Sequence, residues 1–121
     1  MSIDVVNLTE KFSLISEQWD PKIIAQLNDY QVKIAKIQGE FVWHSHPETD
    51  EIFLVVDGKL IIHLRDKELH LEPGEMCVIP CGVEHKPAAE EECQILIVEP
   101  AGTRNTGDAG GERTVEDADW I

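Results

Sequence analysis

The stretch GEFVWHSHPETDEIFLVVDG, residues 39–58, places two histidines and a glutamate around one short turn. His44 and His46 end a predicted strand, and residues two apart in a strand point to the same face, so both imidazoles face one point. Residues 47–50 are too few for anything but a turn, after which Glu51 opens the next strand. Glu51 can therefore return beside the two histidines across the hairpin.

The same stretch ends in a strong turn signal. Asp57-Gly58 separates two apolar runs, and these residue types tolerate the positive φ angles of a two-residue type I′ turn. Outward from this hairpin, short apolar runs are broken by turn residues about every eight to twelve positions, which is typical of an all-β sandwich or barrel. We predict strands over residues 22–27, 31–38, 41–46, 51–56, 59–64, 68–71, 75–79, 84–87 and 92–99.

The two ends of the chain differ from its middle. Residues 7–18 carry apolar residues at helical spacing behind Thr9 as the predicted cap, which indicates a short amphipathic helix or turn ended by Pro21. After residue 100, glycines and acids predict a tail without a core of its own, whose last residues Trp120 and Ile121 either dock or fray. We divide the chain into an N-terminal arm over 1–21, a barrel over 22–100 and an acidic, Gly-rich tail over 101–121.

A fourth residue extends the cluster of His44, His46 and Glu51. His85 follows the turn at residues 80–82, and only a closed β topology would bring it to the same place. Neutral imidazoles and an ionised carboxylate suit borderline divalent metals, so we predict one ion of iron, manganese, nickel or zinc. Four ligands leave two positions of an octahedral ion open, which is typical of a site for chemistry or ligand exchange. The alternative to a metal site is a pair of surface histidines and a solvated carboxylate.

Two segments resemble the paired motifs of the cupin superfamily. The first motif, a Gly, an HxH pair, a Glu and a closing Gly, is matched by Gly39, His44, His46, Glu51 and Gly58. The second is matched by Gly74, Pro80, Gly82 and His85. The resemblance implies a double-stranded β-helix, or jelly-roll barrel, with His85 as the fourth metal ligand. It also implies dioxygenases, decarboxylases and sugar isomerases as candidate reaction classes, among which the fold alone does not choose.

The other histidines and the cysteines have simpler interpretations. His63 and His70 alternate with apolar neighbours, which predicts the outer face of the sheet rather than a second metal site. Cys81 is either a reactive thiol near the site or a small residue tolerated in a turn. Cys77 and Cys93 lie in apolar runs, so a disulfide framework is not expected. The acidic run 90–92 is predicted to be a solvated turn.

The charge of the chain limits its partners. With 24 acidic and 10 basic residues the formal charge is -14, which repels phosphate backbones and anionic lipids. We therefore expect neither nucleic acid nor membrane as a partner, and a cytoplasmic location. Phe41 and Trp43 are predicted to lie on the face opposite the ligands, where a second subunit would cover them in a homodimer.

Three functions remain open at this point. The first is an enzyme, dioxygenase-like with iron, that transforms a small organic molecule at the metal; the second is a metal-dependent binding or sensing module without turnover. A sugar-phosphate isomerase ranks lower because the lysines and arginines fall near turns or on the outer face. No general base is evident besides the ligands. Possible polar groups of the pocket are Tyr30, Gln31, Gln38 and Gln94.

Overall fold

The computed structural model describes residues 3–121. Its elements, in chain order, are α1 (Leu8–Ser13), β1 (Lys22–Leu27), β2 (Tyr30–Glu40), β3 (Glu51–Asp57), β4 (Leu60–His63), β5 (Glu68–Leu71), β6 (Met76–Ile79), β7 (Lys86–Pro100) and β8 (Asp119–Trp120). Strands dominate, so the predicted all-β class is confirmed. No helix within this part of the chain is long and apolar enough to cross a membrane.

Strand β7 connects the two halves of the barrel. One of its edges runs antiparallel to β2, from the pair Tyr30–Pro100 to the pair Glu40–Ala88. Its other edge pairs first with β4, at residues 86–88, and then with β3, at residues 94–98. The strand order β5-β4-β7-β2-β1-β8, with β6 joined to β3, closes the jelly roll that the sequence predicts.

The prediction of two strands over 84–87 and 92–99, separated by a solvated turn at 90–92, is wrong. All three segments belong largely to the single strand β7. The register between β7 and β2 shifts between Ile37 and Gly39, where three residues of β7 face one residue of β2. Such a bulge lets exposed glutamates project into solvent without ending the strand.

The predicted strand over 41–46 is also wrong, since it reduces to an isolated bridge between His44 and His85. Among the other backbone bonds of this segment, the Phe41 amide donates to the Pro87 carbonyl at 2.9 Å. Because no continuous ladder forms, the simple alternation of faces fails here. The Phe41 ring lies edge-on to the His44 ring with 5.5 Å between centroids, on the ligand side rather than opposite it.

Helix α1 is shorter than predicted and begins at a different cap. The side chain of Asn7, not Thr9, accepts the Glu10 amide at 2.9 Å, and the extended backbone of Asn7 suits this role. The helix ends at Ser13, well before Pro21. It buries Phe12 as the apolar spacing predicts.

The barrel has two apolar layers. The inner layer fills the barrel between facing strands, and it consists of the buried residues Ala35, Ile37, Phe53, Val55, Leu60, Ile62, Leu71, Ile79, Ala89, Cys93 and Ile95. The second layer lies between helix α1 and the outside of the sheet, and it consists of Phe12, Ile15, Ile24 and Ile34. The inner layer stops short of the barrel end that holds the histidines, where polar side chains replace it.

The C-terminus docks on the barrel. Strand β8 runs parallel to β1, and the Ile121 amide donates to the Ile23 carbonyl at 3.1 Å. The Lys11 ammonium donates to the Ile121 carbonyl at 2.7 Å, which joins the two ends of the chain. Of the two alternatives for the last residues, docking is the one found. The division at residues 21 and 100 stays a prediction.

Candidate metal centre

Four side chains converge at one end of the barrel interior. His44, His46, Glu51 and His85 each offer one ligand atom, and these atoms all lie within 4.8 Å of one another. All four residues are buried, His85 completely. This arrangement can hold a metal ion, and it excludes the alternative of two surface histidines and a solvated carboxylate.

Backbone pairing explains how residues so far apart in sequence meet. The amides and carbonyls of His44 and His85 exchange two hydrogen bonds, at 3.0 and 2.9 Å. The carbonyl of His46 accepts the Gly82 amide at 3.0 Å, so both histidine-bearing loops are tied together. Glu51 begins β3 directly after the intervening turn. The closed β topology thus brings His85 to the other three residues, as predicted.

The orientation of two imidazoles is fixed by the backbone. Nδ1 of His44 lies 2.9 Å from the Val42 carbonyl, and Nδ1 of His85 lies 2.9 Å from the Val83 carbonyl. Because a carbonyl only accepts hydrogen bonds, each Nδ1 carries the proton and each Nε2 keeps a free lone pair. Such bonds orient histidines that ligate metals in proteins.

Several polar atoms of the cluster are buried without a hydrogen-bond partner. Within residues 3–121 these include His46 Nε2, His85 Nε2 and Glu51 Oε1. The nitrogens lie 3.4 and 3.5 Å from the oxygens of Glu51, which is too long for good hydrogen bonds. Each unpaired buried polar atom costs about 1–3 kcal/mol. A divalent cation would satisfy all three, so the residues fit the metal that the cupin motifs imply.

The protonation states also suit a cation. Burial, followed by the charge of His85, lowers the pKa of His44 to about 4, so this ring is neutral near neutral pH. Burial alone would favour a protonated Glu51, but the neighbouring side chains of Glu99, His46 and His85 outweigh it and hold its pKa well below the usual range. A neutral imidazole and an ionised carboxylate are the forms that bind metals.

The sequence interpretation missed a buried carboxyl group beside Glu51. Ile52 pairs with Val98 across β3 and β7, which places Glu99 next to Glu51. Burial and the neighbouring Glu51 carboxylate raise the pKa of Glu99 well above its usual range. Its Oε2 atom, like Oε1 of Glu51, is buried without a hydrogen-bond partner among the described residues.

Lys33 completes this buried group. Its ammonium lies 2.9 Å from Glu99 Oε1 and 3.2 Å from the Thr103 carbonyl. Alternation within the predicted strands was the available signal, because Lys33 shares a face with Ala35 and Ile37. The four polar residues proposed for the pocket, Tyr30, Gln31, Gln38 and Gln94, do not line the cavity beside the cluster.

That cavity has a volume of about 40 Å³, room for about three water molecules. Its walls are mostly apolar, and Trp19 stacks on Phe41 there with 4.7 Å between ring centroids. His44 and Glu51 face it from the cluster. The remaining polar side chains along its wall are those of Glu99 and Asn105.

The remaining histidines, His63 and His70, and the cysteines lie outside the cluster. His63 is on the outer face of β4, 3.3 Å from the Glu68 carboxylate, and His70 is exposed beside the same group at 3.1 Å. Both positions confirm the outer-face prediction. Cys81 is exposed and its thiol donates to the Pro47 carbonyl at 3.0 Å. All three cysteines are free.

The fold and the cluster together define a small jelly-roll barrel with a candidate metal centre inside one end. Residues 31–99 match the family model described as a cupin domain. This match spans more than half of the chain, and the protein belongs to the cupin superfamily.

Similar proteins support this assignment. A cupin-2 domain containing protein from Shewanella frigidimarina is 56% identical, with a TM-score of 0.79 over 79% of this chain and 94% of that one. Protein NMB1881 from Neisseria meningitidis is 29% identical, with a TM-score of 0.75 over 81% of this chain and all of that one. The uncharacterized protein YdbB of Bacillus subtilis is 38% identical over 63% of this chain and 68% of its own length.

Proposed function

We propose that the protein binds one divalent metal ion through His44, His46, Glu51 and His85 and uses it to bind or transform a small organic molecule. The observation that carries the proposal is the set of buried, unpaired ligand atoms in the cluster. When bound, such an ion acts as a Lewis acid or, if it is iron, supports oxygen chemistry. Around the ion, the chain supplies imidazole and carboxylate ligands and the mostly apolar wall of the neighbouring cavity.

The cavity favours a small and partly apolar molecule as the proposed ligand. No lysine or arginine lines this cavity in the described chain. The one buried ammonium nearby, that of Lys33, is already bonded to Glu99. A sugar phosphate needs converging cations and far more space, so the isomerase alternative is disfavoured. Glu99, whose pKa is raised well above its usual range, lies beside Glu51 in the wall that the ligand would touch.

Turnover and simple binding make different predictions for the iron-loaded protein. A dioxygenase consumes oxygen only with its substrate, which an oxygen electrode measures against a panel of short alcohols, thiols, acids and phenols. A binding module instead shows a ligand-dependent change in the fluorescence of Trp19, which lines the cavity, without oxygen uptake. The small cavity volume favours binding of the smallest members of the panel in either case.

The metal centre itself is tested by a pair of histidine variants. We expect His46→Ala to lose most of its bound metal, because removing one of four ligands also misdirects the others. His70→Ala removes an exposed histidine and should keep about one ion per chain, as the wild type does. Elemental analysis of the purified proteins measures both, and equal metal content in the two variants would show that the ligand set is wrong.

We also propose that the protein is a cytoplasmic homodimer, on a different surface from that first expected. Phe41 is buried beside His44, and Trp43 is covered by the Arg65 guanidinium at 3.8 Å from its ring. Neither aromatic side chain is thus a free apolar surface. The support for a dimer comes instead from the outer face of β3 and β6, where Val78 is half exposed.

A further inference from the structure

Ser45, which lies between the candidate ligands His44 and His46, is hydrogen-bonded to a residue of the C-terminal segment. The Ser45 amide donates to Asp108 Oδ1 at 2.7 Å, and the Asp108 amide donates to the Ser45 carbonyl at 3.0 Å. Asp108 belongs to residues 103–115, which we name the C-terminal strap. The backbones of His44 and His46 are tied to the loop that carries His85, so Ser45 is the point where the strap holds this segment.

Gly107 brings the backbone of the strap into direct contact with the same segment. Its φ is +52°, and a Cβ built on it would collide with the Ser45 carbonyl oxygen and lie 3.2 Å from His44 Cδ2. Backbone cannot move aside as a flexible side chain can. Only glycine therefore lets the strap lie this close to the His44 ring.

The strap is itself a connected unit rather than a loose tail. The Asn105 side chain donates to the Arg113 carbonyl at 2.8 Å and accepts the Val115 amide at 2.7 Å. Arg113 in turn donates to the Glu40 carbonyl at 2.6 Å, which fastens the far end of the strap to β2. Because the strap is hydrogen-bonded internally and to β2, it can fix the position of the segment around Ser45 that it contacts.

We propose that Asp108 and Gly107 are positioning residues of the metal centre, through which the strap sets the direction of the His44 and His46 imidazoles. This inference rests on the proposed metal site. Ligand direction governs metal affinity, because a metal binds tightly only where its ligands already point at it. The strap should accordingly set how tightly the ion is held, although none of its residues contributes a ligand.

Four variants test the proposal by the affinity for Zn²⁺ in competition with a chromophoric chelator. We expect Asp108→Ala to bind Zn²⁺ about tenfold more weakly, in line with the loss of other outer partners. Asp108→Asn keeps an acceptor oxygen and should stay within about twofold of the wild type. Gly107→Ala should lose at least as much affinity as Asp108→Ala. Gly111→Ala is its matched control, since Gly111 also has a positive φ but nothing within 4 Å.

Amide hydrogen exchange at Ser45 in the metal-free protein gives a second, independent measurement. The Ser45 amide should exchange faster in Asp108→Ala and at the wild-type rate in Asp108→Asn. The proposal is overturned if Asp108→Asn loses as much affinity as Asp108→Ala, or if Gly107→Ala binds Zn²⁺ as Gly111→Ala does. Failure of the wild type itself to bind Zn²⁺ would instead refute the metal centre, whatever the exchange at Ser45 shows.

Discussion

At the scale of single residues, the cluster is organised for a cation before any cation binds. The Nδ1 atoms of His44 and His85 each face a backbone carbonyl, which directs Nε2 toward the shared point. The pKa of Glu51 is held low although the residue is almost fully buried, because the neighbouring side chains outweigh the cost of burial. The unpaired atoms that result are a cost to folding that a bound ion removes.

The neutral, buried state of His44 makes the stability of the metal-free protein depend on pH. The pKa of His44 is about 4 in the folded protein and 6.5 in a free chain, so between these values the unfolded chain binds more protons. Stability therefore falls as the pH falls through this window. Between about pH 7 and pH 5, we expect the free energy of unfolding of the wild type to fall by about 2 kcal/mol more than that of His44→Gln. Urea unfolding of both metal-free proteins measures the two losses. Equal losses in the wild type and in His44→Gln would contradict this expectation.

The four candidate ligands were predictable because they stand in short, spaced motifs, whereas Glu99 and Lys33 were not. A charged residue in an apolar strand is ordinarily interpreted as solvent-facing. Alternation places Lys33 on the inner face, but its position beside Glu99, and that of Glu99 beside Glu51, follow only from the pairing of β7 with β2 and β3. The buried pair at 2.9 Å is thus a product of tertiary structure rather than of local pattern.

At the scale of secondary-structure elements, the turn between β3 and β4 does more than reverse the chain. Gly58 has a φ of +87°, as its place in the predicted hairpin requires. A Cβ at this position would also lie 2.9 Å from the Glu92 carbonyl oxygen and 3.0 Å from the Cys93 Cα. The hairpin is therefore packed against the bulge of β7, and the two irregularities depend on each other.

A pair of glycine variants separates this contact from backbone strain. Gly74 has a φ of +84° but nothing within 4 Å of a built Cβ, so Gly74→Ala suffers the strain alone. We expect Gly58→Ala to lower the free energy of unfolding by about 1–3 kcal/mol more than Gly74→Ala does, because backbone atoms must shift. Urea denaturation measures the difference. Equal losses would mean that the hairpin is not packed against β7.

The wrongly predicted strands share one cause, which is pairing with strands that are distant in sequence. The bulge at residues 90–92 and the isolated bridge at His44 are set by strands distant in sequence, and alternation alone predicts neither. Strand β5 has the predicted bounds, because its alternation extends over the whole element. The helix begins two residues earlier than predicted for a local reason, since Asn7 is as good a cap as Thr9.

At the scale of the whole molecule, an apolar row crosses the outside of the sheet. Val32 pairs with Val98, Val98 with Ile52, and Ile52 with Val78, so one side chain from each of four strands lies along one line. All four residues are at least partly exposed. A row of partly exposed apolar side chains can be covered by a second copy of the chain across a two-fold axis, which supports the proposed homodimer.

Analytical ultracentrifugation tests the dimer at about micromolar concentration. We expect the wild type to sediment with twice the chain mass and Val78→Glu to sediment as a monomer, because a charge buried without a partner is costly. Leu14→Glu alters an exposed apolar residue away from this row and should leave the dimer intact. A monomeric wild type, or a dimeric Val78→Glu, would place the apolar row outside any interface.

The central claim is that one metal ion lies between three imidazoles and one carboxylate inside the barrel. The most direct test is an anomalous difference map from crystals of the metal-loaded protein, collected at the absorption edge of the bound element. We expect a single strong peak between Nε2 of the histidines and the carboxylate of Glu51. A map with no peak there, or with its peak at the exposed pair His63 and His70, would contradict it.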